Sequence, residues 1–235
     1  MLAFTEWTDL EMDFTSYYSS SYGDFPETGL PRNRACALIN CYATGVSMSF
    51  YDSSENVDKY IEMCKGYDGS NLHELLSRHI KNQSSLLELG CGAGNDIAVF
   101  KKNYKVTGSD NSLEFLNRCK LKYPGVDFVQ LDAVELDINK SFNCIFSNKV
   151  LHHLSEAELR ESLKKQSNLL SNNGVIAHSF WLGDGCEEMH GLRFNYYSKK
   201  QIVSIVSEYF NIIDTLNYQE FEESDSLFIV AQKVA

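Results

Sequence analysis

LLELGCGAGNDIAVF, residues 86–100, is the stretch on which the reading of the fold turns. Leu86, Leu87 and Leu89 form a short apolar run closed by glycine, which predicts a buried strand over Ser85–Leu89. Gly90, Gly92 and Gly94 follow at once, and a helix-like pattern leaves them over Asn95–Asn103. Glycine at a strand end lets backbone N–H groups approach a ligand with no Cβ in the way. Plain tight turns also use glycine, so the loop alone leaves the ligand open. The spacing narrows the choice. A dinucleotide fingerprint runs G-x-G-x-x-G, and here Asn95 stands where the last glycine belongs. A P-loop needs G-K-[ST], which the chain lacks.

Outward from this loop, strands and helices alternate. Lys105–Ser109 reads as strand, Ser112–Tyr123 as a helix stopped by Pro124-Gly125, and Val126–Leu131 as strand. Phe142–Ser147 reads as strand. Ser155–Leu170 reads as a helix opened by the capping-box sequence SEAE and closed by Asn172-Asn173-Gly174. Val175–Phe180 is a strand, Ser198–Tyr209 a helix, and Ile212–Leu216 and Leu227–Gln232 two closing strands. Upstream, Asn56–Met63 and Asn71–His79 have helical spacing. This alternation predicts a doubly wound α/β sheet, whose ligands bind beyond the carboxyl ends of the strands. Two acids stand there in register. Asp110 ends the second strand, about 20 residues past the glycines, where an acid takes ribose hydroxyls. Asp132-Ala133 ends the third, where an acid and a backbone N–H can read an adenine edge.

On Glu88-Leu-Gly-Cys-Gly-Ala-Gly94, Val106-Thr-Gly-Ser-Asp110, Leu131-Asp-Ala133 and FNCIFSNKVLHHL (142–154), residues 50–235 resemble the class I S-adenosylmethionine-dependent methyltransferases. The resemblance implies a Rossmann-like, doubly wound seven-stranded sheet with helices on both faces and a reversed C-terminal hairpin. It implies S-adenosyl-L-methionine as cofactor. Carried over by position, Glu88, Gly90, Cys91, Gly92 and Gly94 would hold its methionine part and approach the ribose. Asp110, with Asn111 beside it, would take the ribose hydroxyls, and Asp132 and Ala133 would meet the adenine. Asn148 would face the methionine end, and Tyr67, in Gly66-Tyr67-Asp68, would line the pocket. Cys91 departs from the loop's usual pattern and reads as packing. The glycine loop and VLHHL specify the superfamily and leave the substrate open.

Methyl transfer from a sulfonium is an in-line displacement, so the protein mainly positions the acceptor, and a base is needed only if the acceptor must lose a proton. Candidate bases are His152 and His153 in VLHHL, His178 after the fifth strand, and His190. The pair in VLHHL is frequent in the superfamily whatever the substrate, which weighs against its being chemistry. The segment from His178 through GDGCEEMHGLRFNYYS (183–198) reads as a polar, aromatic loop at the ligand end. Trp181, His190, Arg193 and Tyr196 are its candidate acceptor contacts. Arg193 would pair with a substrate anion, or else with Glu187 or Glu188. Tyr51 and Tyr60 are read as parts of a lid, and Glu220, Glu222, Glu223 and Asp225 as an exposed turn. No ligand constellation for a metal is visible, so metal independence is expected.

The chain has 235 residues and a net charge of −11, which argues against nucleic acid as partner. Seven cysteines, without a C-x-x-C, argue against a disulfide framework and for a reducing, cytoplasmic compartment. No apolar run reaches a membrane span, and the acidic N-terminus reads as no export signal. Residues 1–47 carry Glu6, Asp9, Glu11, Asp13, Asp24 and Glu27 against Arg32 and Arg34, and read as an extension, either flexible or a docking segment for a protein. Residues 48–84 read as a helical lid and 85–235 as the core. The expected function is methyl transfer to a small molecule. The alternatives are a protein or RNA acceptor, a nicotinamide oxidoreductase, and a non-catalytic module that binds a partner through residues 1–47.

Overall fold

The computed structural model describes residues 50–189 and 191–234. The extension read over residues 1–47 therefore lies outside the described residues, as does His190. A short turn of 3-10 helix at Phe50–Asp52 leads into α1 (Ser54–Met63) and α2 (Ser70–Ser77). Then follow β1 (Ser85–Leu89), α3 (Asn95–Phe100), β2 (Lys105–Asp110), α4 (Leu113–Lys122), β3 (Asp127–Gln130) and β4 (Phe142–Asn148). After a 3-10 turn at Leu151–His153 come α5 (Glu156–Leu169), β5 (Leu170–Trp181), β6 (Gly185–Met189) and β7 (Leu192–Tyr196). The chain continues through α6 (Lys199–Ser207), β8 (Phe210–Tyr218) and β9 (Ser226–Lys233).

Seven strands form one sheet in the order β3-β2-β1-β4-β5-β9-β8. The first five run parallel, while β9 lies antiparallel between β5 and β8. Strand periodicity builds two cores, because adjacent residues of one strand face opposite sides. Leu87, Ile145, Ile176 and Ile229 pack with Leu159 and Leu163 of α5 and Ile202, Ile205 and Val206 of α6. Their neighbours Leu86, Cys144, Phe146, Phe228 and Val230 pack on the other face with Leu72, Leu75 and Leu76 of α2, Ile97 and Phe100 of α3, and Leu116 of α4. Helices α5 and α6 start where their sequences dictate. Ser155 and Glu158, and likewise Ser198 and Gln201, form reciprocal capping boxes.

The structure corrects the sequence reading in three places. Helix α2, read within the lid segment, buries Leu72 and Leu76 in the cluster that also holds Leu86 of β1. Asn172-Asn173-Gly174 do not close a helix outside the sheet. They lie in the irregular start of β5, where Asn173 takes φ +61°. Residues 183–197 are no open loop, for β6 and β7 pair there as an antiparallel hairpin. No helix among the described residues is long and apolar enough to cross a membrane.

Candidate active site

The order of strands reverses between β1 and β4, and the site is built beyond their carboxyl ends. The chain leaves β1 through three left-handed glycines, with φ of +67° at Gly90, +46° at Gly92 and +73° at Gly94. A Cβ on Gly90 would lie 2.5 Å from Val150 Cγ2, and one on Gly94 2.6 Å from the Tyr123 ring, so packing as well as φ demands glycine. The turn is tied to β2. Cys91 N–H donates to the Ser109 carbonyl at 2.7 Å, and Gly92 N–H to Asp110 Oδ2 at 2.9 Å. Asp110 Oδ1 accepts from Ser112 N–H at 2.9 Å, so the carboxylate is held in one orientation. Burial raises the Asp110 carboxyl above its ordinary range, and the N–H groups of Ser112, Gly92 and Asn111 pull it back. Exposed Asn111 also accepts from Gln130 through its carbonyl at 2.9 Å. Cys91 is buried, and its hydrogen bond with Cys119 together with burial pushes its thiol far up, as suits packing.

Glu88 ends this strand face as a buried acid, and its Oε2 has no hydrogen-bond partner. Burial first, and the charge of Asp96 second, hold its carboxyl well above the usual range. An unpaired buried oxygen is costly in an otherwise satisfied protein, and it suits a cationic ligand group. Beside it, Asp96 is hydrogen-bonded to His73 Nε2 and accepts from Asn148 Nδ2 at 3.2 Å. Asn148 also donates to the Tyr67 hydroxyl at 2.7 Å and accepts from Ser179 Oγ at 2.7 Å. A cleft of about 250 Å³ opens along Tyr67, Gly69, His73, Asn95 and Asp96.

Past β3, Asp132 Oδ1 accepts from the N–H groups of Val134 (2.7 Å) and Glu135 (2.9 Å), and its side chain is exposed at the rim. Ala133 is fixed by its carbonyl, which accepts from Ser162 Oγ at 2.6 Å. Over the glycine loop lies an aromatic cover in which Tyr51, Tyr60 and Phe115 meet in pairs at 5.4–5.5 Å. The Tyr51 carbonyl accepts from Ser112 Oγ at 2.6 Å, and Arg118 ties α1 to α4 through Asp58, Ser54 and Glu114. Burial and the Asp110 charge push the Tyr51 hydroxyl up to about 12, so it stays protonated.

The candidate histidines separate. His178 is sealed within the sheet, accepting from Ser147 Oγ at 2.8 Å and donating to Gln166 Oε1 at 2.7 Å. With both ring nitrogens engaged and burial pulling its pKa down to about 3, it braces β4, β5 and α5 and takes no part in the chemistry proposed below. His152 is buried with both ring nitrogens unpartnered, stacked on Phe194 of the hairpin at 5.4 Å. Burial keeps it neutral. His153 Nδ1 donates to the Arg193 carbonyl at 2.7 Å, which fixes the hairpin on the loop after β4. Arg193 itself is exposed and forms no ion pair among the described residues, neither with Glu187 nor with Glu188. The Tyr196 hydroxyl lies 3.4 Å from Glu187 Oε2.

Trp181 ends β5, stacked on Phe221 at 5.3 Å, in company the sequence did not suggest. Lys149, next to Asn148, sets its Nζ 3.5 Å over the Trp181 ring, and Glu220 Oε2 lies 3.3 Å from that Nζ. Glu220, read as part of an exposed turn, is thus turned inward, its side chain only 20% exposed. Asp225 holds the turn by accepting from the N–H groups of Glu220, Phe221 and Glu222. Lys149, Tyr218 and Glu220 had no signal in the sequence beyond a lone lysine after a strand and an acid in an acidic run.

Residues 86–174 match the model of a methyltransferase domain family. Over this segment the chain resembles a methyltransferase domain. It is similar to trans-aconitate 2-methyltransferase of Enterobacter sp. (strain 638), 32% identical over 108 residues that make up 44% of this chain and 42% of that protein. It is also similar to pavine N-methyltransferase of Thalictrum flavum subsp. glaucum, 31% identical over 105 residues, or 41% of this chain and 29% of that protein. The match therefore spans less than half the length of these curated relatives. Among solved structures, 1,6-didemethyltoxoflavin-N1-methyltransferase of Burkholderia thailandensis shares the fold with a TM-score of 0.65 at 20% identity, over 77% of this chain and 87% of that one. N-methyltransferase NodS of Bradyrhizobium japonicum, solved with S-adenosyl-L-homocysteine, shares it with a TM-score of 0.61 at 14% identity, over 79% and 99%. The glycine loop, Asp110 and Asp132 all fall within the matched segment.

Proposed function

We propose that the chain is an S-adenosylmethionine-dependent methyltransferase acting on a small molecule. One observation carries the reading. Beyond β1, a turn of left-handed glycines, the fixed Asp110 carboxylate and the unpartnered Glu88 oxygen form a cradle suited to a cationic, hydroxyl-bearing ligand. In this reading Glu88 holds the cofactor's ammonium, Asp110 its ribose hydroxyls, and Asp132 with Ala133 its adenine. Asn148, Tyr67 and Asp96 border the reacting end. The cofactor, when bound, supplies an electrophilic methyl group on sulfur. The chain's own work is to bind, orient and exclude water. Tyr51 and Tyr60 cover the loop, and Trp181 walls the acceptor side. Arg193 and Tyr196 sit on the hairpin as rim contacts, and His152 and His153 support its seat.

The relatives support a small acceptor, since trans-aconitate and pavine stand in their names. Calorimetric titration tests the reading. S-adenosyl-L-homocysteine should bind, NADH should not, and Asp110→Ala should weaken the former by ~1–3 kcal/mol, the cost of losing a buried charged partner. Binding of NADH alone, or an unchanged affinity in Asp110→Ala, would overturn it.

A further inference from the structure

The amino-acid head of S-adenosylmethionine carries a carboxylate as well as an ammonium, and Glu88 answers only the ammonium. The carboxylate has to be met beside two acids, Glu88 and Asp96, which act on one another. The cleft at the methionine end offers the place. It holds about 250 Å³, and no lysine or arginine stands among its lining residues. His73 lines it from α2, and Tyr67 from the segment before that helix. Gly69 lets the two meet: a Cβ there would lie 3.1 Å from the Tyr67 hydroxyl oxygen and 3.2 Å from His73 Cε1. Both side chains have hydrogen-bonding capacity left. The Tyr67 oxygen accepts from Asn148 at 2.7 Å, and its own proton has no acceptor among the described residues. His73 Nε2 is engaged by Asp96 Oδ1, and Nδ1 has no partner among them. Phe100, at 4.9 Å, and Phe146, at 6.5 Å, hold the imidazole ring from its other sides.

A neutral imidazole that donates from Nε2 to Asp96 presents a lone pair at Nδ1, which repels a carboxylate. The imidazolium presents an N–H there instead, and its charge offsets that of Asp96. We propose that His73, held by Asp96, is a proton-linked receptor for the cofactor's carboxylate. As the head enters the cleft, Nδ1 takes a proton from solvent and donates it in a hydrogen bond to the carboxylate. The Tyr67 hydroxyl donates a second. The proposal rests on the methyltransferase reading above. No covalent bond of the cofactor changes in this step, and one proton moves from water to nitrogen. The charges around His73 are Asp96 of α3 and Asp68 before α2, with Glu88 of β1 behind Asp96. Asp68 is already engaged, accepting from Ser70 N–H at 2.9 Å. Tyr67 stays a neutral donor, because burial raises its hydroxyl far above the ordinary range. The carboxylate's share of the affinity is therefore greatest where the imidazolium prevails, and it declines as pH rises. Glu88 sets the opposite trend for the ammonium, since its raised carboxyl has to ionise first.

Calorimetry on the full chain tests this with three ligands. They are S-adenosyl-L-homocysteine, its decarboxylated analogue, which keeps the ammonium, and 5′-methylthioadenosine, which has neither charge. S-adenosyl-L-homocysteine should bind more tightly than the analogue at about pH 6, and that advantage should shrink by about pH 8. His73→Gln keeps a donor for Asp96 and lacks the Nδ1 position. It should weaken S-adenosyl-L-homocysteine about tenfold at the lower pH, and leave the analogue and 5′-methylthioadenosine unchanged. Glu88→Gln should weaken both ligands that carry the ammonium. The natural chain supplies a readout that needs no variant, should His73→Gln not fold. Titrations in buffers of different ionisation enthalpy should show more proton uptake with S-adenosyl-L-homocysteine than with the analogue. Equal affinity for these two ligands, an advantage indifferent to pH, no extra proton uptake, or a His73→Gln that weakens all three ligands alike each overturns the proposal. Each of those leaves the methyltransferase reading standing. Failure of S-adenosyl-L-homocysteine to bind the natural chain overturns both.

Discussion

Glu88 is a residue whose usefulness and whose cost have the same source. Burial and Asp96 push its carboxyl well above the usual range, so the folded chain resists ionising it. A raised folded pKa means that the stability it contributes is present below the ordinary glutamate range and is lost as pH rises through the folded value. Thermal melts of the chain should therefore decline as pH rises above the ordinary glutamate range, and Glu88→Gln should flatten that decline. The same variant should melt higher at neutral pH, by about 2–4 °C for each kcal/mol regained. It should nonetheless bind S-adenosyl-L-homocysteine more weakly, because the charge that penalises the empty cradle is the one the ligand needs. A variant that melts lower and binds as before would show that Glu88 is an ordinary core strut. Lys149 is the mirror case: burial pulls its amine down to about 8, and Glu220 and Asp225 oppose that pull.

Elements divide into those the sequence announced and those it did not. Strand β1 was legible because it is an apolar run closed by glycine, and it was read to the residue. Helix α5 was legible through Ser155, whose capping partner sits three positions on; the like pair at Ser198 and Gln201 of α6 emerged only in the structure. The β6–β7 hairpin was not. Its strands are short, glycine interrupts them, and Asn195 holds them by reaching back to the His152 and Leu154 carbonyls at 3.0 and 2.7 Å, contacts no local pattern encodes. The group around Lys149 escaped for the same reason, since Lys149 and Ser226 are 77 positions apart. Asp110 at the end of β2 and Asp132 just past β3 were legible by strand-end register alone. The cover formed by α1 depends on Arg118, a 30% exposed side chain bridging Asp58, Ser54 and Glu114. Exposed ion pairs are worth ~0.2–1 kcal/mol each. Arg118→Ala should therefore leave the melting temperature nearly unchanged and weaken S-adenosyl-L-homocysteine by about fivefold. Loss of folding in that variant would mean that α1 is part of the core and no cover.

For the whole molecule, the described residues contain two cores, one on each face of the sheet, and a site that draws on residues from Tyr51 to Glu220. We expect a chain begun at Met48 to stay soluble and to bind S-adenosyl-L-homocysteine as the full chain does, by calorimetry. Its failure would assign residues 1–47 a part in the fold. The placing of β9 carries a consequence for biogenesis. Leu227 through Ala231 are all buried, and they fill the gap between β5 and β8 although both precede them in the chain. While the ribosome is still making the segment before Ser226, β5 offers a bare apolar edge and β8 has no sheet to join. Such edges are templates for wrong pairing. The nascent chain therefore stays vulnerable to aggregation until β9 clears the exit tunnel, and the sheet then closes in a single late step.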